Sequence, residues 1–293
     1  MQDLAVRSLL FVPGDNEKMI QKALASKADA IIVDLEDAVA PENKVRAREV
    51  SNMVLSARDH GKKPVFVRVN AFDTGQTAHD LAAVMGAFPS GIMLPKCAGM
   101  DEVVRLAHNL DALEARDGIE IGSTRVLTVA TETAGATLKL GSTPPDVTGR
   151  LWGMLWGSED LKATLGSQAN RDDAGRYTFP YQFARSQCLY AASALGAVAI
   201  DAAYTDFRDP EGLAEETRLG LRDGFAAKAA IHPAQAEIIN DILTPTREQL
   251  TWAEQVVDAL KNRAVARLDG TMVDLAHKRI AERLIARHAA FST

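Results

Sequence analysis

Eight short, largely apolar segments rich in β-branched residues alternate along this chain with longer segments of helical periodicity. Within each segment the apolar residues are nearly continuous rather than alternating with polar ones, a pattern typical of parallel strands that are covered on both faces. The segments span residues 7–12, 30–34, 65–69, 91–95, 125–131, 151–157, 197–201 and 226–232. Because eight parallel strands close a barrel, we predict an α/β fold of the (β/α)8 TIM-barrel type.

A doubly wound open sheet is the competing α/β fold. It normally carries a G-x-G-x-x-G turn after its first strand, whereas this chain has Val12-Pro13-Gly14-Asp15 there. The length of 293 residues does not require two domains, because α/β barrels of about 250 residues form single domains. The barrel is therefore the fold that the sequence favours.

The chain continues beyond the eighth predicted strand. Helical patterns cover residues 234–243 and 247–263, a polar turn follows at Leu268-Asp269-Gly270, and a last helical pattern covers residues 276–288. We predict a barrel with extra C-terminal helix over residues 1–263 and a C-terminal arm over residues 264–293.

Composition narrows the class of protein. With 47% hydrophobic residues, 25% charged residues and a net charge of −6, the chain is typical of soluble globular proteins and not of nucleic-acid binders. No apolar run reaches the roughly 18 residues of a membrane span, and no signal peptide is visible. Two cysteines, Cys97 and Cys188, suit a reducing compartment. We expect a cytoplasmic protein that binds neither nucleic acid nor membranes.

Charged or hydrogen-bonding residues follow almost every predicted strand. In this fold the active site lies at the carboxyl ends of the strands, so these residues are predicted to form one cluster. Buried charges cost several kcal/mol unless they are paired or bound to a metal, which favours a functional role for the cluster. Its members are Asp34-Leu35-Glu36-Asp37, Arg68-Val69-Asn70, Lys96, Glu132-Thr133, Gly157-Ser158-Glu159-Asp160 and His232.

Two carboxylates of this cluster, Glu132 and Asp160, are oxygen ligands of the kind that Mg²⁺ prefers, with water or substrate completing its shell. The structural alternative is that Glu132 caps the following helix and Asp160 pairs with a neighbouring cation. Arg68 offers a planar donor fork for a carboxylate or an oxyanion, unless it is an internal partner of Glu36 or Asp37. Spacing alone leaves these alternatives open.

The first predicted helix follows Pro13-Gly14-Asp15 and carries Lys18 and Lys22 one turn apart on the same face. Two lysines near a helix N-terminus can hold phosphate groups, although lysines on a helix surface are usually only solvated. The chain has no H-E-x-x-H, C-x-x-C or G-x-S-x-G motif, so zinc-protease and serine-hydrolase functions have no support.

The motifs, in their order along the chain, resemble the citrate lyase β-subunit-like (HpcH/HpaI aldolase) superfamily. Within it, the chain is most similar to the CoA-ester lyases of the citramalyl-CoA and malyl-CoA type, through residues 199–209 in particular. The other motifs are Phe11-Val12-Pro13-Gly14, Asp34-Leu35-Glu36-Asp37-Ala38-Val39, Val67-Arg68-Val69-Asn70, Leu94-Pro95-Lys96, Glu132-Thr133-Ala134, Gly157-Ser158-Glu159-Asp160-Leu161 and Ile231-His232-Pro233-Ala234-Gln235.

The resemblance implies a magnesium-dependent barrel enzyme that is a homotrimer or a hexamer. Glu132 and Asp160 would bind Mg²⁺, and Arg68, Glu132 and Glu159 would bind the substrate, with Arg68 at its keto-acid end. A further set of residues is expected to orient these groups: Glu36, Asp37 and Lys96.

The resemblance also places CoA against Phe11, Lys18 and Lys22, although Phe11 stands where related lyases often have tyrosine. The segment Asp269-Gly270-Thr271-Met272-Val273-Asp274 resembles the arm motif of the family. In that motif the aspartate, here Asp274, reaches the active site of a neighbouring subunit as the acid/base.

The reaction implied is cleavage of a 3-hydroxyacyl-CoA of the citramalyl-CoA or malyl-CoA type to acetyl-CoA and a 2-oxo acid, by reversible Claisen-type chemistry. The alternatives are a citrate lyase β-subunit acting on a citryl-acyl carrier protein, a CoA-free class II aldolase, a malyl-CoA thioesterase and a non-catalytic metabolite-binding barrel. Sequence does not rank pyruvate against glyoxylate as the product, because one methyl group changes pocket energy by only about 1–3 kcal/mol.

Overall fold

The computed structural model describes residues 4–140 and 149–291, and it confirms the predicted barrel. Eight parallel strands pair in sequence order, and β1 closes the barrel by pairing with both β2 and β8. The predicted ranges of barrel and arm also include residues 1–3, 141–148 and 292–293, which lie outside the described part of the chain. The barrel strands are β1 (Ser8–Pro13), β2 (Ala30–Asp34), β3 (Val65–Arg68), β4 (Gly91–Leu94), β5 (Arg125–Val129), β6 (Leu151–Leu155), β7 (Val198–Asp201) and β8 (Ala227–Ala230).

Helices follow the strands and cover the outside of the barrel. None of the helices in the described ranges is long and apolar enough to cross a membrane. The helices are α1 (Glu17–Leu24), α2 (Lys44–Ser56), α3 (Thr77–Val84), α4 (Met100–Asp117), α5 (Ala134–Lys139), α6 (Glu159–Leu165), α7 (Phe179–Ala194), α8 (Pro210–Asp223), α9 (Pro233–Leu243), α10 (Arg247–Ala259) and α11 (Leu275–Phe291).

Alternation along the strands decides which side chains enter the barrel. Leu9, Ile32 and Phe66 belong to the apolar cluster inside the barrel. Apolar residues next to them in sequence point outward and belong to the layer between the strands and the helices. Two residues further along the same three strands, the inward register reaches the carboxyl-end mouth of the barrel. The residues at these positions are Phe11, Asp34 and Arg68.

The C-terminal region differs from the sequence prediction. The helix predicted over residues 247–263 ends at Ala259, and the turn Leu268-Asp269-Gly270 joins two antiparallel strands, β9 (Val265–Leu268) and β10 (Thr271–Asp274). Asp269 and Gly270 both have positive φ, at 48° and 84°, as tight hairpin turns require. These strands were not predicted because each is only four residues long and half of their residues are exposed, so they carry little apolar signal.

The hairpin packs with α10 and α11, and this unit joins the barrel at the far end of α11. There the Arg287 guanidinium donates to the Ala226 and Leu243 carbonyls at 2.6 and 2.9 Å. Ala226 immediately precedes β8, so this junction lies at the amino end of the barrel, opposite the mouth. The unit has a small core of its own, formed by Ala253, Val256, Leu260, Val273 and Ala281.

Candidate active site

The Arg68 guanidinium is held at the mouth by a carboxylate on the neighbouring strand. Its Nε and Nη2 donate to Asp34 Oδ1 and Oδ2 at 2.7 and 2.6 Å, which forms a two-bond fork. The Asp34 oxygens also accept two backbone N–H groups from the turn after β2, so the carboxylate is itself fixed. From the sequence we expected Glu36 and Asp37 in this role and overlooked Asp34, which its inward register on β2 could have revealed.

Glu36 and Asp37 contact different cations of the mouth. Glu36 Oε2 lies 3.0 Å from Arg68 Nη1, and Glu36 Oε1 accepts a hydrogen bond from Lys96 Nζ. Asp37 is more than half exposed and lies 3.1 Å from Lys96 Nζ. Glu36 therefore contacts Arg68, as expected, whereas Asp37 contacts Lys96 instead.

These contacts fix the positive charges of the mouth. Burial acts to lower the pKa of Arg68, but the Asp34 carboxylate, helped by Glu36 and Glu132, raises it above its usual value. Burial also acts to lower the pKa of Lys96, and the Glu36 carboxylate reverses the effect, so that this pKa is raised as well. Both side chains are therefore cations at neutral pH and are poor proton donors.

Lys96 makes a second contact through its backbone. Its φ of 48° lies in the left-handed region, which costs about 1 kcal/mol or more for a residue with a side chain. In this conformation the Lys96 N–H donates to Glu132 Oε2. Strained backbone of this kind concentrates at functional sites, and here it directs a hydrogen-bond donor at a buried carboxylate.

Glu132 and Asp160 form the acidic centre of the mouth. Glu132 is 2% exposed, and its carboxyl group shares a hydrogen bond with that of Asp160. Burial raises the pKa of Glu132 well above its usual value, the Lys96 N–H opposes the shift, and the nearby Asp160 adds to it. Gly157 permits this packing, because a Cβ at that position would lie 2.7 Å from Glu132 Cγ.

The acidic pair is suited to a divalent cation. Glu132 is buried and Asp160 is half-buried, so the two neighbouring carboxylates repel each other once both are ionised. A cation between them would relieve the repulsion. The described residues hold no group of three or more His, Cys, Asp and Glu side chains placed for a metal, so two carboxylates would act with water or substrate oxygens.

The structure does not show the purely structural roles that were the alternatives for Glu132, as a helix cap, and for Asp160, as the partner of a cation. The N-cap of α5 is Thr133, whose hydroxyl accepts the Ala136 N–H at 3.1 Å, so Glu132 does not cap that helix. Within residues 4–140 and 149–291, Asp160 forms no ion pair with a cationic side chain.

The three residues predicted to contact CoA lie in two different places. The half-buried Phe11 ring points into the barrel, with its centroid 5.1 Å from the Arg68 guanidinium carbon. Lys18 and Lys22 are exposed on α1, outside the barrel. The structure therefore brings Phe11 to the guanidinium and leaves the two lysines on the outer surface.

Glu159 is bound to the loop that follows α6. Its Oε1 accepts hydrogen bonds from Asn170 Nδ2 at 2.7 Å and from Ser158 Oγ at 3.2 Å. Asn170 was not foreseen from the sequence, because no local pattern marks a side-chain contact across eleven residues of loop and helix.

Asp274 lies at the start of α11. Its Oδ1 accepts the backbone N–H groups of Ala276 and His277 at 3.0 and 3.3 Å and lies 2.7 Å from His277 Nδ1. The hydrogen bond with the His277 ring lowers the pKa of Asp274. Among the described residues, no hydrogen bond or ion pair joins Asp274 to Arg68 or Glu132 of its own chain.

The chain is thus a closed parallel α/β barrel that carries the buried Glu132, the half-buried Asp160 and a fixed guanidinium at its carboxyl-end mouth, where active sites of this fold lie. The family model described as "HpcH/HpaI aldolase/citrate lyase" matches residues 7–233. The chain belongs to this family.

Three curated relatives cover nearly the whole chain. A citrate lyase subunit beta-like protein of Mycobacterium tuberculosis is 37% identical over 95% of this chain and 94% of its own length. A (3S)-malyl-CoA thioesterase of Cereibacter sphaeroides is 32% identical over 98% of this chain and 95% of its own. The mitochondrial citramalyl-CoA lyase of Rattus norvegicus is 32% identical over 95% of this chain and 85% of its own length.

A solved structure supports the same relationship. The CitE protein of Mycobacterium tuberculosis, in complex with magnesium, acetoacetate and coenzyme A, superposes with a TM-score of 0.81 at 33% identity. The match covers 97% of this chain and 98% of that one, so it includes both the barrel and the C-terminal region.

Proposed function

We propose that this protein is a Mg²⁺-dependent CoA-ester lyase, which cleaves a 3-hydroxyacyl-CoA of the citramalyl-CoA or malyl-CoA type to acetyl-CoA and a 2-oxo acid. The observation that carries the proposal is the pair of Glu132, which is buried, and Asp160, which is half-buried, at the same mouth as the fixed Arg68 guanidinium. The CitE complex with magnesium, acetoacetate and coenzyme A and the relative named citramalyl-CoA lyase support it.

The proposed reaction breaks one carbon–carbon bond. The hydroxyl group of the substrate loses its proton and becomes the carbonyl of the 2-oxo acid. The electron pair of the broken bond passes to the acetyl carbon, which forms the enolate of acetyl-CoA. That enolate takes up one proton to give acetyl-CoA, so the net reaction needs no oxidant and no water.

The mouth supplies fixed charges for this reaction. Glu132 and Asp160 would hold Mg²⁺, which when bound acts as a Lewis acid toward substrate oxygens. Arg68, held by Asp34 and Glu36, supplies a fixed positive charge for the oxygen on which charge develops, a contribution of about 3–4 kcal/mol in comparable sites.

The proton for the enolate is proposed to come from Asp274 of a neighbouring subunit, within a homotrimer or a hexamer. In this proposal residues 264–293 form an arm that serves the adjacent barrel. The Asp274 side chain is 39% exposed, and within the described residues no hydrogen bond or ion pair joins it to the mouth of its own chain, which is compatible with a role on another copy.

The phosphate groups of CoA are proposed to lie against Lys18 and Lys22. Both lysines are exposed on α1, and β1, which precedes that helix, carries Phe11 at the mouth. The Phe11 ring would then contact the acyl end of the thioester rather than its nucleotide end.

A second candidate function is a malyl-CoA thioesterase, because one relative at 32% identity carries that name. Hydrolysis of the thioester would release free CoA and leave the carbon–carbon bond intact. The carrier-protein alternative has the same kind of support, because the relative at 37% identity is named citrate lyase subunit beta-like protein. The CoA-free aldolase and non-catalytic alternatives have no specific observation in their favour.

The decisive test offers purified protein citramalyl-CoA and malyl-CoA separately, with Mg²⁺ or with EDTA. We expect EDTA-sensitive release of both acetyl-CoA and a 2-oxo acid, and the acid identifies the substrate. Free CoA without a 2-oxo acid would favour the thioesterase. No product from either ester, with Mg²⁺ bound, would contradict both.

A further inference from the structure

The loop between α6 and α7 is folded into a small hairpin beside the mouth. Arg171 and Tyr177 form an antiparallel bridge, and the Asp172 N–H donates to the Arg176 carbonyl at 2.8 Å. Gly175 closes the turn with a φ of 76°. We call residues 167–178 the α6–α7 hairpin.

One strand of the α6–α7 hairpin is fastened to the start of α6. Asn170 is 8% exposed, its Nδ2 donates to Glu159 Oε1 at 2.7 Å, and its carbonyl accepts the Thr178 N–H at 3.0 Å. Glu159 is the first residue of α6, and the next residue is Asp160 of the acidic pair. The Asn170–Glu159 bond, which we call the clasp, therefore lies one residue from a proposed metal ligand.

The next residue of the same strand, Arg171, fastens the hairpin to the outer part of the barrel. The Arg171 guanidinium stacks on the Tyr177 ring at 3.8 Å, and its Nη2 lies 2.6 Å from Glu216 of α8. Glu216 in turn accepts from the Nζ of Lys228, which is 1% exposed on β8. The hairpin is thus joined to a buried ion pair of the barrel and not only to solvent-exposed loops.

The start of α6 needs such support. The helix is seven residues long, and Ser158 at its N-cap makes no side-chain capping hydrogen bond. Short helices are only marginally stable without tertiary contacts, and a missing N-cap costs about 1 kcal/mol. The clasp provides a tertiary contact at this uncapped end.

We propose that the α6–α7 hairpin is a positioning element of the acidic pair: Asn170, through Glu159, holds the first turn of α6 so that Asp160 faces Glu132. Asn170 is thereby a positioning residue that contacts neither metal nor substrate. This inference rests on the proposed function, which assigns Mg²⁺ to Glu132 and Asp160.

The test measures Mg²⁺ binding by titration calorimetry in Asn170→Ala, Glu159→Ala and the double variant. We expect each single variant to raise the Kd for Mg²⁺ about tenfold, as loss of supporting contacts around metal ligands commonly does. Because both substitutions remove the same bond, the double variant should weaken binding no further than either single one. Glu159→Gln, whose amide oxygen can still accept from Asn170, should retain more of the Mg²⁺ affinity than Glu159→Ala, because the two variants lose the same charge but only the alanine variant loses the bond.

Two further measurements separate the clasp from general effects. Asn52→Ala removes a side-chain hydrogen bond to the Ala83 carbonyl on another part of the barrel, and it should leave the Kd for Mg²⁺ unchanged. Hydrogen–deuterium exchange of the metal-free protein should speed up in residues 159–178 for Asn170→Ala and stay at the wild-type rate for Glu159→Gln.

The outcomes distinguish this inference from the proposed function. Wild-type Mg²⁺ affinity in Asn170→Ala, or additive losses in the double variant, would overturn the clasp while leaving the lyase intact. If wild-type protein binds no Mg²⁺, the proposed function fails and the claim about Asp160 fails with it. Unchanged exchange in Asn170→Ala would show that the clasp does not hold α6.

Discussion

The mouth of the barrel and the C-terminal arm are built in opposite ways. At the mouth, Arg68, Glu36, Lys96 and Glu132 are joined by consecutive contacts, and Glu132 is 2% exposed. In the arm, the Asp274 side chain is 39% exposed and its described hydrogen bonds lie within the first turn of its own helix. The mouth is thus preorganised within one chain, whereas the surroundings of Asp274 depend on what the arm meets.

This difference separates two chemical tasks. The cations of the mouth have raised pKa values and stay charged, so they stabilise charge but do not transfer protons. The lowered pKa of Asp274 keeps this carboxyl group ionised at neutral pH, which is the form that accepts a proton in the condensation direction. Once protonated, it would return that proton in cleavage. In the proposed reaction, the barrel therefore stabilises charge and the arm transfers the proton.

The largest expected effect comes from Asp274→Asn. Loss of a general acid/base slows turnover by about 10²–10⁴-fold, so acetyl-CoA release should fall by that factor while the Kd for Mg²⁺ stays constant. Asp269→Asn, at a left-handed turn position that asparagine tolerates, is the matched control and should keep wild-type turnover. Full activity in Asp274→Asn would remove the arm from the reaction.

Arg68→Lys tests the geometry of the mouth with the charge preserved. Lysine cannot form the two-bond fork with Asp34, so we expect kcat to fall by about 10²–10³-fold, with folding and Mg²⁺ binding retained. Steady-state kinetics measures the fall in kcat, and titration calorimetry measures the retained Mg²⁺ binding. A rise in KM with unchanged kcat would mean that Arg68 binds the ground state and the transition state equally and does not favour the chemical step.

Glu132→Gln should abolish Mg²⁺ binding and stabilise the metal-free protein by about 1 kcal/mol, because it removes a buried charge. The pKa of Glu132 is higher in the folded protein than in the unfolded chain. At pH values between these two pKa values, the folded protein therefore binds more protons than the unfolded chain does. Metal-free stability contributed by this group therefore rises as pH falls from neutral, and Mg²⁺ affinity falls over the same range.

Denaturant unfolding of the metal-free wild type and Glu132→Gln at several pH values measures both the stability gain of the variant and the pH dependence of the wild type. The free energy of unfolding of the variant should lack the part of the pH dependence that Glu132 contributes in the wild type. Wild-type stability that falls on mild acidification to the same extent in both proteins would contradict the assignment of a buried, easily protonated carboxyl group.

The smallest expected effects concern Lys18 and Lys22. Each exposed lysine should lower KM for the CoA ester by about two- to fivefold, so alanine substitution raises KM by that factor without changing kcat. The effect should shrink at high ionic strength, because salt screens exposed charges. Lys27→Ala, an exposed lysine just after the same helix, is the control.

The barrel and much of its mouth could be predicted because their signals are local. Continuous β-branched runs mark the strands, and polar residues directly after them mark the mouth, as with Arg68 and Glu132. Asp34 was predicted as a member of the cluster at the mouth but not as the residue that holds Arg68. Its identity as the bidentate partner of Arg68 required the pairing of β2 with β3.

The remaining contacts have no local signal. The Asn170–Glu159 clasp depends on how a loop folds back, and the left-handed backbone of Lys96 depends on its contact with Glu132. The β9–β10 hairpin lies on the surface, where apolar periodicity is weak. Which subunit surface receives Asp274 is a property of an assembly and stays a prediction.

The most direct test of the division between barrel and arm is a subunit-mixing experiment. Asp274→Asn has an intact mouth and Glu132→Gln an intact arm, so each alone should be inactive. Co-assembled at equal amounts, they should recover about a quarter of wild-type lyase activity, because that fraction of sites combines an intact mouth with an intact neighbouring arm. A mixture that forms mixed oligomers and stays inactive would contradict the account.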